Sequence, residues 1–214
     1  MGQLTYDILF IGSGVFLTLG LLFGGLILGT ILGVTISILR YNNICSFIIS
    51  RWISLFRGTP LILQLSLIYF TAPSIIGIKL SVIQAGIIAF GFNSSAYIAE
   101  ILRSGIESIA KGQFEAAKTL KISKYYTWRD IILPQVIRNT FPSFVNEIIS
   151  LLKETALIGT ISGMDIMRMA QTLGAQQFTY FMPLCIAAVY YYILVISIEF
   201  IGKIIEKRGW YAQN

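Results

Sequence analysis

The chain has 214 residues, of which 56% are hydrophobic and only 12% are charged, and its mean hydropathy is +0.77. In a soluble domain about a quarter of the residues are charged, so this composition excludes an ordinary soluble protein and indicates a membrane domain. The sequence has no histidine, the commonest acid–base catalyst and metal ligand. Its net charge of +6 comes from basic residues between apolar runs, which argues against nucleic acid as a partner.

Five apolar runs predict membrane-spanning helices, since a span needs about 20 mainly apolar residues. In chain order they cover approximately residues 8–39, 61–78, 82–102, 137–163 and 182–205. The first is longer than the hydrocarbon core, so we expect it to tilt, break or begin on the membrane surface. Pro73 and Gly77 predict the short turn after the second run. The fourth is interrupted by polar side chains: Asn146, Glu147, Lys153 and Glu154.

The basic residues predict the orientation of these spans, because Lys and Arg accumulate in short cytoplasmic loops. They follow the first span, follow the third span or end the chain, with three exceptions: Lys79, Lys153 and Arg168. With five spans, this places the N-terminus outside and the C-terminus in the cytoplasm. No Lys or Arg precedes Arg40, so the N-terminus lacks the basic region of a secretory signal peptide and we expect it to be retained.

Glycines in the first span recur at GxxxG spacing, as the pairs 20 and 24, 25 and 29, and 29 and 33. Small residues four apart let another helix approach closely in a membrane. Two interpretations are open: packing between subunits, or packing within the chain.

Residues 103–138 form a long polar loop after the third span, on the predicted cytoplasmic side. Residues 113–120 predict a short helix in which Ala116 and Ala117 leave a face for close approach, and residues 122–124 predict a second turn. Pro134 resets the chain before the next apolar run, because proline lacks the N–H that a helix interior needs. We expect a soluble partner to dock on this loop.

The spacing within this loop resembles the EAA motif, EAAxxxG followed by IxLP, of ABC importer membrane subunits. It contains Glu115, Ala116 and Ala117, then position 121, then residues 131–134 with the sequence IILP. In that family the loop carries the coupling helix that enters a cleft on the cytoplasmic ATPase. The resemblance implies ATPase-coupling residues at Gly112, Glu115, Ala116, Ala117, Lys121, Leu133 and Pro134. Lys121 replaces the family's glycine, which would favour a left-handed conformation at the helix end.

Other segments narrow the resemblance to polar amino-acid permeases of the histidine and glutamine type. They are GVFLTL at 14–19, FRGTPL at 56–61, AYIAEILR at 96–103, GQFEAA at 112–117, LPQ at 133–135 and KETAL at 153–157. The overall pattern is similar to that of glutamine transport permeases. The resemblance implies one all-α transmembrane domain of the type-I ABC importer kind over 1–214, with a core of about 13–206 and the coupling loop at 103–138.

The same resemblance implies the partners and the division of labour. A separate cytoplasmic subunit binds and hydrolyses ATP, an external binding protein delivers the amino acid, and a second permease copy or a homologue completes the pathway in the lipid of the inner membrane. The chain itself has no GxxxxGK[ST] phosphate loop and no Ser/His/Asp or Cys/His set. We therefore expect neither an enzyme nor a cofactor or metal bound by this chain.

Candidate pathway residues are fewer. We predict a turn at the cytoplasmic entrance of the second span, formed by Arg57, Gly58, Thr59 and Pro60, with Pro60 at the first helical positions of the span. A further hypothesis is that this turn gates the transport pathway. Asn146 and Glu147 are candidates to line the pathway, because a zwitterionic amino acid needs partners of both polarities. Glu100 is expected to pair with Arg103 one turn later.

Other functions remain as alternatives to the importer permease. An ion-coupled secondary amino-acid transporter would commonly carry inverted repeats, and no convincing repeat is visible in this chain. A membrane-embedded enzyme would need a catalytic constellation, and a dimerising membrane anchor would need no coupling loop. The ordered EAA segment favours the permease.

Overall fold

The computed structural model describes residues 2–210, which are helical apart from short connections and contain no β-strand. The α-helices are α1 (Gln3–Gly12), α2 (Val15–Tyr41), α3 (Ser46–Gly58), α4 (Leu61–Ile76), α5 (Val82–Glu107), α6 (Lys111–Thr119), α7 (Lys124–Tyr126), α8 (Leu133–Glu154), α9 (Ile166–Gln177) and α10 (Phe181–Trp210). A π-helical segment (Thr127–Ile132) leads into α8, and a 3₁₀ segment (Thr155–Ile161) follows it. Met1 and residues 211–214 of the predicted domain lie outside the described residues.

Three helical stretches of the described chain are long and apolar enough to cross a membrane: Gln3–Tyr41, Val82–Glu107 and Phe181–Lys207. Helices α3 and α4, bent by 104° at the break between them, would together supply a fourth. Helix α8 covers most of the predicted fourth span, and at about 1.5 Å per residue it is long enough to cross. Because α8 contains Arg138 and three further charged residues, the five-span count stays a prediction at this helix.

Of the outcomes expected for the over-long first span, a break is confirmed. The span divides at Ser13 and Gly14 into α1 and α2, because the chain passes so close to α9 there that a Cβ on Gly14 would lie 2.5 Å from the carbonyl carbon of Asp165. The position predicted for Pro73 is wrong. Pro73 lies inside α4 and not in the turn, which begins at Gly77 with a φ of +69°. Membrane helices accommodate proline more readily than soluble ones because their neighbours can satisfy the freed carbonyl.

Helices α2 and α5 form the tightest seam of the described bundle. A Cβ added to Gly25, Gly29 or Gly33 would lie within 3 Å of the side chains of Phe90, Ser94 and Ile98 respectively. The space beside Gly91 of α5 is filled in turn by the Leu28 side chain of α2. Gly24 is approached in the same way by Ile87, so packing within the chain is confirmed for four of the spaced glycines, whereas Gly20 has open space beside it.

The main core lies between α2, α4, α5, α8 and the 3₁₀ segment, with Phe90, Leu65 and Leu152 fully buried. Helix α10 packs on α8 and α9 with one side, through Ala187 for example, and exposes large apolar residues on the other, among them Tyr192 and Phe200. Because lipid is as apolar as these side chains, such exposure is what a membrane-spanning helix requires.

The two ends of the bundle are defined by the ends of α2, which is about 40 Å long at 1.5 Å per residue. At its N-terminal end lie α1 and α9, joined by a hydrogen bond of 2.9 Å from Gln177 Nε2 to Asp7 Oδ1. At its C-terminal end, Tyr41 packs edge-on against Trp128 of the π-helical segment, with ring centroids 4.8 Å apart. The polar loop of 103–138 therefore sits at the end opposite to α9.

Candidate coupling surface and transport pathway

Helix α6 contains the EAA residues and lies on the bundle by one face only. Phe114 packs into a small core with Trp128 and Ile132, and Ala117 is 2% exposed. Glu115 lies on the exposed face. The helix thus presents a polar surface to any partner while two side chains attach it to the bundle.

The remaining predicted coupling residues divide between that surface and the bundle. Gly112 and Ala116 are exposed, and the space beside Gly112 is open. Of the two alanines expected to leave a face for close approach, Ala117 is approached by the bundle itself, because successive residues on a helix point about 100° apart and Ala117 turns inward. Ala116 alone remains available for close approach.

Lys121 ends α6 in the left-handed conformation, with a φ of +55°. The Ile122 N–H donates to the Ala117 carbonyl at 3.0 Å, and the Lys121 N–H donates to the Lys118 carbonyl at 3.0 Å. This pair of hydrogen bonds is the Schellman motif, in which glycine is the usual left-handed residue. Lys121 therefore keeps the turn that glycine would make, at the cost of a strained φ.

The π-helical segment lies between α6 and α2 and contacts both. Trp128 stacks edge-on against Phe114 of α6, with centroids 6.2 Å apart, as well as against Tyr41 at the end of α2. Leu133 and Pro134 open α8, directly after the π-helical segment. Both side chains are exposed.

The predicted turn at residues 57–60 is a sharp break between α3 and α4. Thr59 is extended, with φ −119° and ψ 147°, and Pro60 precedes the first helical residue of α4 as its N-cap, so its placement inside the helix is wrong. Gln64 fills the break: its Nε2 donates to the carbonyl oxygens of Phe56 and Thr59 at 3.0 and 3.1 Å. Gly58 is exposed, and a Cβ added to it would meet no neighbour within 4 Å.

Arg57 belongs to a cluster of three arginines around Glu100. Arg103 lies 2.5 Å from the Glu100 carboxylate and Arg40 lies 3.1 Å from it, whereas the Arg57 distance is 3.9 Å. Arg103 also pairs with Glu107. The predicted Glu100–Arg103 pair is confirmed, and the carboxylate additionally joins the ends of α2, α3 and α5.

Asn146 and Glu147 lie on α8 and differ in their surroundings. Glu147 is half-buried and accepts a hydrogen bond of 2.7 Å from the Ser94 hydroxyl, in the part of α5 that faces Gly29. Asn146 is exposed. Glu147 contacts Ser94 of α5, and Arg57 lies beside Glu100 of the same helix. Positions 94 and 100 are about 9 Å apart along the axis of α5.

Two buried carboxamides complete the polar groups of the bundle. Among the described residues, Gln64 Oε1 and Asn93 Oδ1 are buried with no hydrogen-bond donor. The sequence patterns described above assign no role to Asn93 or Ser94. The sequence does contain a signal for Asn93 and Gln64, because a carboxamide within an apolar helix is energetically costly unless it has a structural or functional role. No group of three potential metal-ligating His, Cys, Asp or Glu residues occurs in the described part of the chain.

The sequence profile of the family described as the inner membrane component of binding-protein-dependent transport systems matches residues 11–210. The chain belongs to this family. The match covers nearly the whole chain and confirms the membership predicted from the EAA segment. The family is one of transport proteins, not of enzymes.

Relatives and solved structures agree with this membership. A Rickettsia typhi protein, provisionally named glutamine transport system permease protein GlnP, is 51% identical over 94% of this chain and 93% of its own length. The arginine transport system permease protein ArtQ of Bacillus subtilis is 41% identical over 93% and 92%. A crystal structure of an amino acid ABC transporter with histidines matches with a TM-score of 0.85 and 34% identity, over 93% of this chain and 94% of the other. An inward-facing methionine ABC transporter, 21% identical with a TM-score of 0.78, shares the fold.

Proposed function

We propose that the chain is the permease subunit of an ABC importer that carries a polar amino acid, glutamine, across the inner membrane, using ATP hydrolysed by a separate subunit. The observation that carries this proposal is α6, a nine-residue EAA helix that exposes Glu115 at one end of an apolar bundle. The 51% identity to the Rickettsia protein supports glutamine as the substrate.

The coupling step follows from how α6 is attached. Glu115 offers a carboxylate to the ATPase, and Phe114 conveys a push on the helix to Trp128. Trp128 touches Tyr41, so the push reaches the end of α2 and, through the glycine seam, α5. Close-packed interiors transmit displacement because they have little free volume to absorb it.

The remaining assignments follow from the same family and from charge. The α6 end faces the cytoplasm, because most basic residues lie on that side of the spans, and the N-terminus faces outward. An external amino-acid-binding protein meets the α9 end, and a second permease copy or a homologue completes the pathway. Asn146 and Glu147 contribute polar groups to it, and the break at Arg57, Gly58, Thr59 and Pro60, where α3 and α4 meet at 104°, acts as the gate. ATP is the one cofactor, held by the partner subunit.

The test is ATP-driven uptake of labelled glutamine, arginine and histidine into proteoliposomes that contain this chain, its ATPase and its binding protein. Glu115→Lys reverses the charge of the proposed contact and should lower uptake at least tenfold, because loss of a charge-assisted hydrogen bond alone costs about 1.5–3 kcal/mol. Gln176→Lys, at an exposed position on α9 at the opposite end, is the control for assembly with the ATPase, which should be normal in this variant and weakened in Glu115→Lys.

Glutamine uptake that needs ATP and is lost in Glu115→Lys supports both the substrate and the coupling site. Uptake of arginine or histidine but not glutamine would change the proposed substrate, while the assignment as an ABC importer would still stand. Uptake that persists without ATPase and follows an ion gradient would contradict the importer and favour the ion-coupled secondary transporter.

A further inference from the structure

Two cavities lie side by side where α2 and α5 end, beside the π-helical segment. The first, of about 320 Å³, is polar and is lined by Arg40, Arg103 and Glu107. The second, of about 350 Å³, is mainly apolar and has Ile38 and Trp128 in its wall. The residues that line both cavities are Ser37, Tyr41 and Ile106. The two cavities therefore form one elongated site with a polar half and an apolar half, which we call the junction site.

The junction site lies at the depth of the lipid headgroups. Residues 17–37 cover about 30 Å along α2, at about 1.5 Å per residue, which is the thickness of the hydrocarbon core. Arg40 is the first basic residue of the chain. Tyr41 and Trp128 are aromatic residues of the kind that membrane proteins place at the interface between lipid and water. Lipid headgroups are therefore the molecules nearest to the site.

Ser37 contributes a buried hydroxyl without a hydrogen-bond partner to this site. The residue is 9% exposed, and it forms no hydrogen bond with any residue that the structure describes. Thr35, by contrast, donates to the Ile31 carbonyl of the same helix at 2.8 Å. A buried hydroxyl is costly unless it is hydrogen-bonded, and the Ser37 side chain lines both cavities. It therefore indicates a ligand that brings a hydrogen-bonding group into the site.

Three arginines contact two carboxylates at the polar half of the site. The arginines that contact Glu100 are Arg40, Arg57 and Arg103, and Arg103 also pairs with Glu107. Arg40 forms one hydrogen bond among the described residues, from Nη1 to Glu100 at 3.1 Å, so further N–H groups of its guanidinium remain for a ligand. One added negative charge would balance the cluster. Phosphate suits this position, because guanidinium groups bind phosphate oxygens through paired hydrogen bonds.

A track for an acyl chain leads to the apolar half of the site. Exposed aliphatic side chains recur every three or four residues along α2 and end at the second cavity: Ile27, Ile31, Val34 and Ile38. Side chains at this spacing share one face of a helix. A phospholipid with its phosphate in the polar half would place its glycerol esters in the apolar half and an acyl chain along this face. A soluble phosphate would leave the face unused.

We propose that the junction site binds the headgroup of an anionic phospholipid of the cytoplasmic leaflet, with the phosphate on Arg40 and the Ser37 hydroxyl. The proposal rests on the function proposed above only for the choice of leaflet, which depends on the orientation of the chain. Tyr41 of the site contacts Trp128 and so joins α2 to the π-helical segment. A bound lipid packs against both residues and stabilises this junction.

The first experiment titrates the purified permease–ATPase complex with phosphatidylglycerol or phosphatidylcholine and follows lipid binding by native mass spectrometry. Phosphatidylglycerol should bind at least about fivefold more tightly, the fold-change that corresponds to two unit charges about 4 Å apart in water. Arg40→Gln should weaken phosphatidylglycerol binding at least about tenfold, the loss expected for one charge-assisted hydrogen bond. Equal binding of the two lipids to the wild type would overturn the anionic headgroup.

Arg51→Gln is the matched control for Arg40→Gln. It removes the same charge, but from α3, where the Arg51 guanidinium lies over the Phe47 ring and does not line the junction site. Binding of phosphatidylglycerol should stay unchanged in this variant. Equal weakening by Arg40→Gln and Arg51→Gln would overturn the site, because it would show attraction to the overall positive charge only.

Two milder variants keep the proposal testable if Arg40→Gln fails to assemble. Ser37→Ala removes a hydroxyl that bonds to no described residue, so it should assemble normally and weaken phosphatidylglycerol binding about threefold, as expected for a neutral hydrogen bond. Glu107→Gln removes the carboxylate that lines the polar half and should strengthen binding severalfold. Damage to the fold would not strengthen binding, so the opposite signs distinguish a lipid site from a structural role. Unchanged binding in both variants would overturn the site.

A ligand-side arm separates a lipid from a soluble phosphate. Glycerol 3-phosphate carries the phosphate of the headgroup without acyl chains, and it should not displace phosphatidylglycerol from the wild-type complex. Displacement at equal concentration would overturn the lipid and make the site one for a soluble phosphate ester. In nanodiscs, amide exchange of residues 127–132 should be slower with phosphatidylglycerol than with phosphatidylcholine, and Ser37→Ala should reduce this difference.

Lipid binding and uptake separate this proposal from the proposed function. ATP-driven uptake by a complex whose phosphatidylglycerol binding survives Arg40→Gln unchanged would overturn the junction site and leave the importer in place. Binding that depends on Arg40 and Ser37, in a complex that imports no amino acid, would remove the proposed function and support the site.

Discussion

The seam between α2 and α5 and the surface of α6 use small residues for opposite purposes. In the seam, Gly25, Gly29 and Gly33 bring two long helices so close that a single added carbon would overlap the neighbouring side chain. On α6, Gly112 has open space beside it and Ala116 is exposed. The space beside the small residues of the seam is therefore occupied by side chains of the same chain. The space beside the small residues of α6 is open to a partner protein.

The difference teaches how an importer subunit can be rigid and responsive at once. Close helix contact without side chains between the backbones leaves the seam little freedom to rearrange. Helix α6 is attached mainly by Phe114 and Ala117. In the coupling that we propose, it shifts as a small body and the seam carries the displacement across the membrane.

The largest effect is expected from filling the seam. Gly33→Leu would place its Cβ 2.8 Å from that of Ile98 and 2.9 Å from the Ser95 carbonyl oxygen, and the backbone cannot give way cheaply. We expect a loss of at least about 3 kcal/mol, at the upper end for overpacked sites, seen as a lower thermal transition and a poor yield of folded protein. Gly20→Leu, where the space is open, should be tolerated. Equal stability of the two variants would show that the seam is loose.

A smaller, local effect is expected at the attachment of α6. Phe114→Ala removes the ring that packs on Trp128, and a half-buried aromatic contact of this kind contributes about 2 kcal/mol. Amide hydrogen exchange of residues 111–119 should rise by one to two orders of magnitude while exchange in α2 and α5 stays unchanged. Gln113→Ala, on the exposed face, serves as the control. A general rise in exchange would mean that α6 is part of the core.

The smallest effect concerns Lys121, and its sign is favourable. Lys121→Gly relieves a left-handed conformation at φ +55° and should stabilise the end of α6 by about 1 kcal/mol. Slower amide exchange at Ile122, which donates to Ala117, is the measurement. Lys121→Ala removes the long side chain and keeps the strain, so it should not slow exchange. Faster exchange in the glycine variant would show that the lysine side chain itself holds the turn.

Much of this arrangement could be predicted from the sequence, because it depends on local signals. The loop helix expected at 113–120 occurs at 111–119, and the left-handed turn expected of a glycine is kept by Lys121. The inward turn of Ala117 could not be predicted, since it depends on which face of α6 meets the bundle. The contacts of Ser94 with Glu147 and of Gln64 with the break join residues from different helices or turns, and one sequence contains no record of such pairing.

The central claim, that α6 is the surface met by the ATPase, can be tested most directly by site-specific photo-cross-linking in the assembled transporter. A photo-reactive amino acid at position 115 should give a covalent product with the ATPase subunit, and the same group at exposed position 176 on α9 should give none with that subunit. Product formation at 176 and not at 115 would contradict the claim, because it would place the ATPase at the opposite end of the bundle.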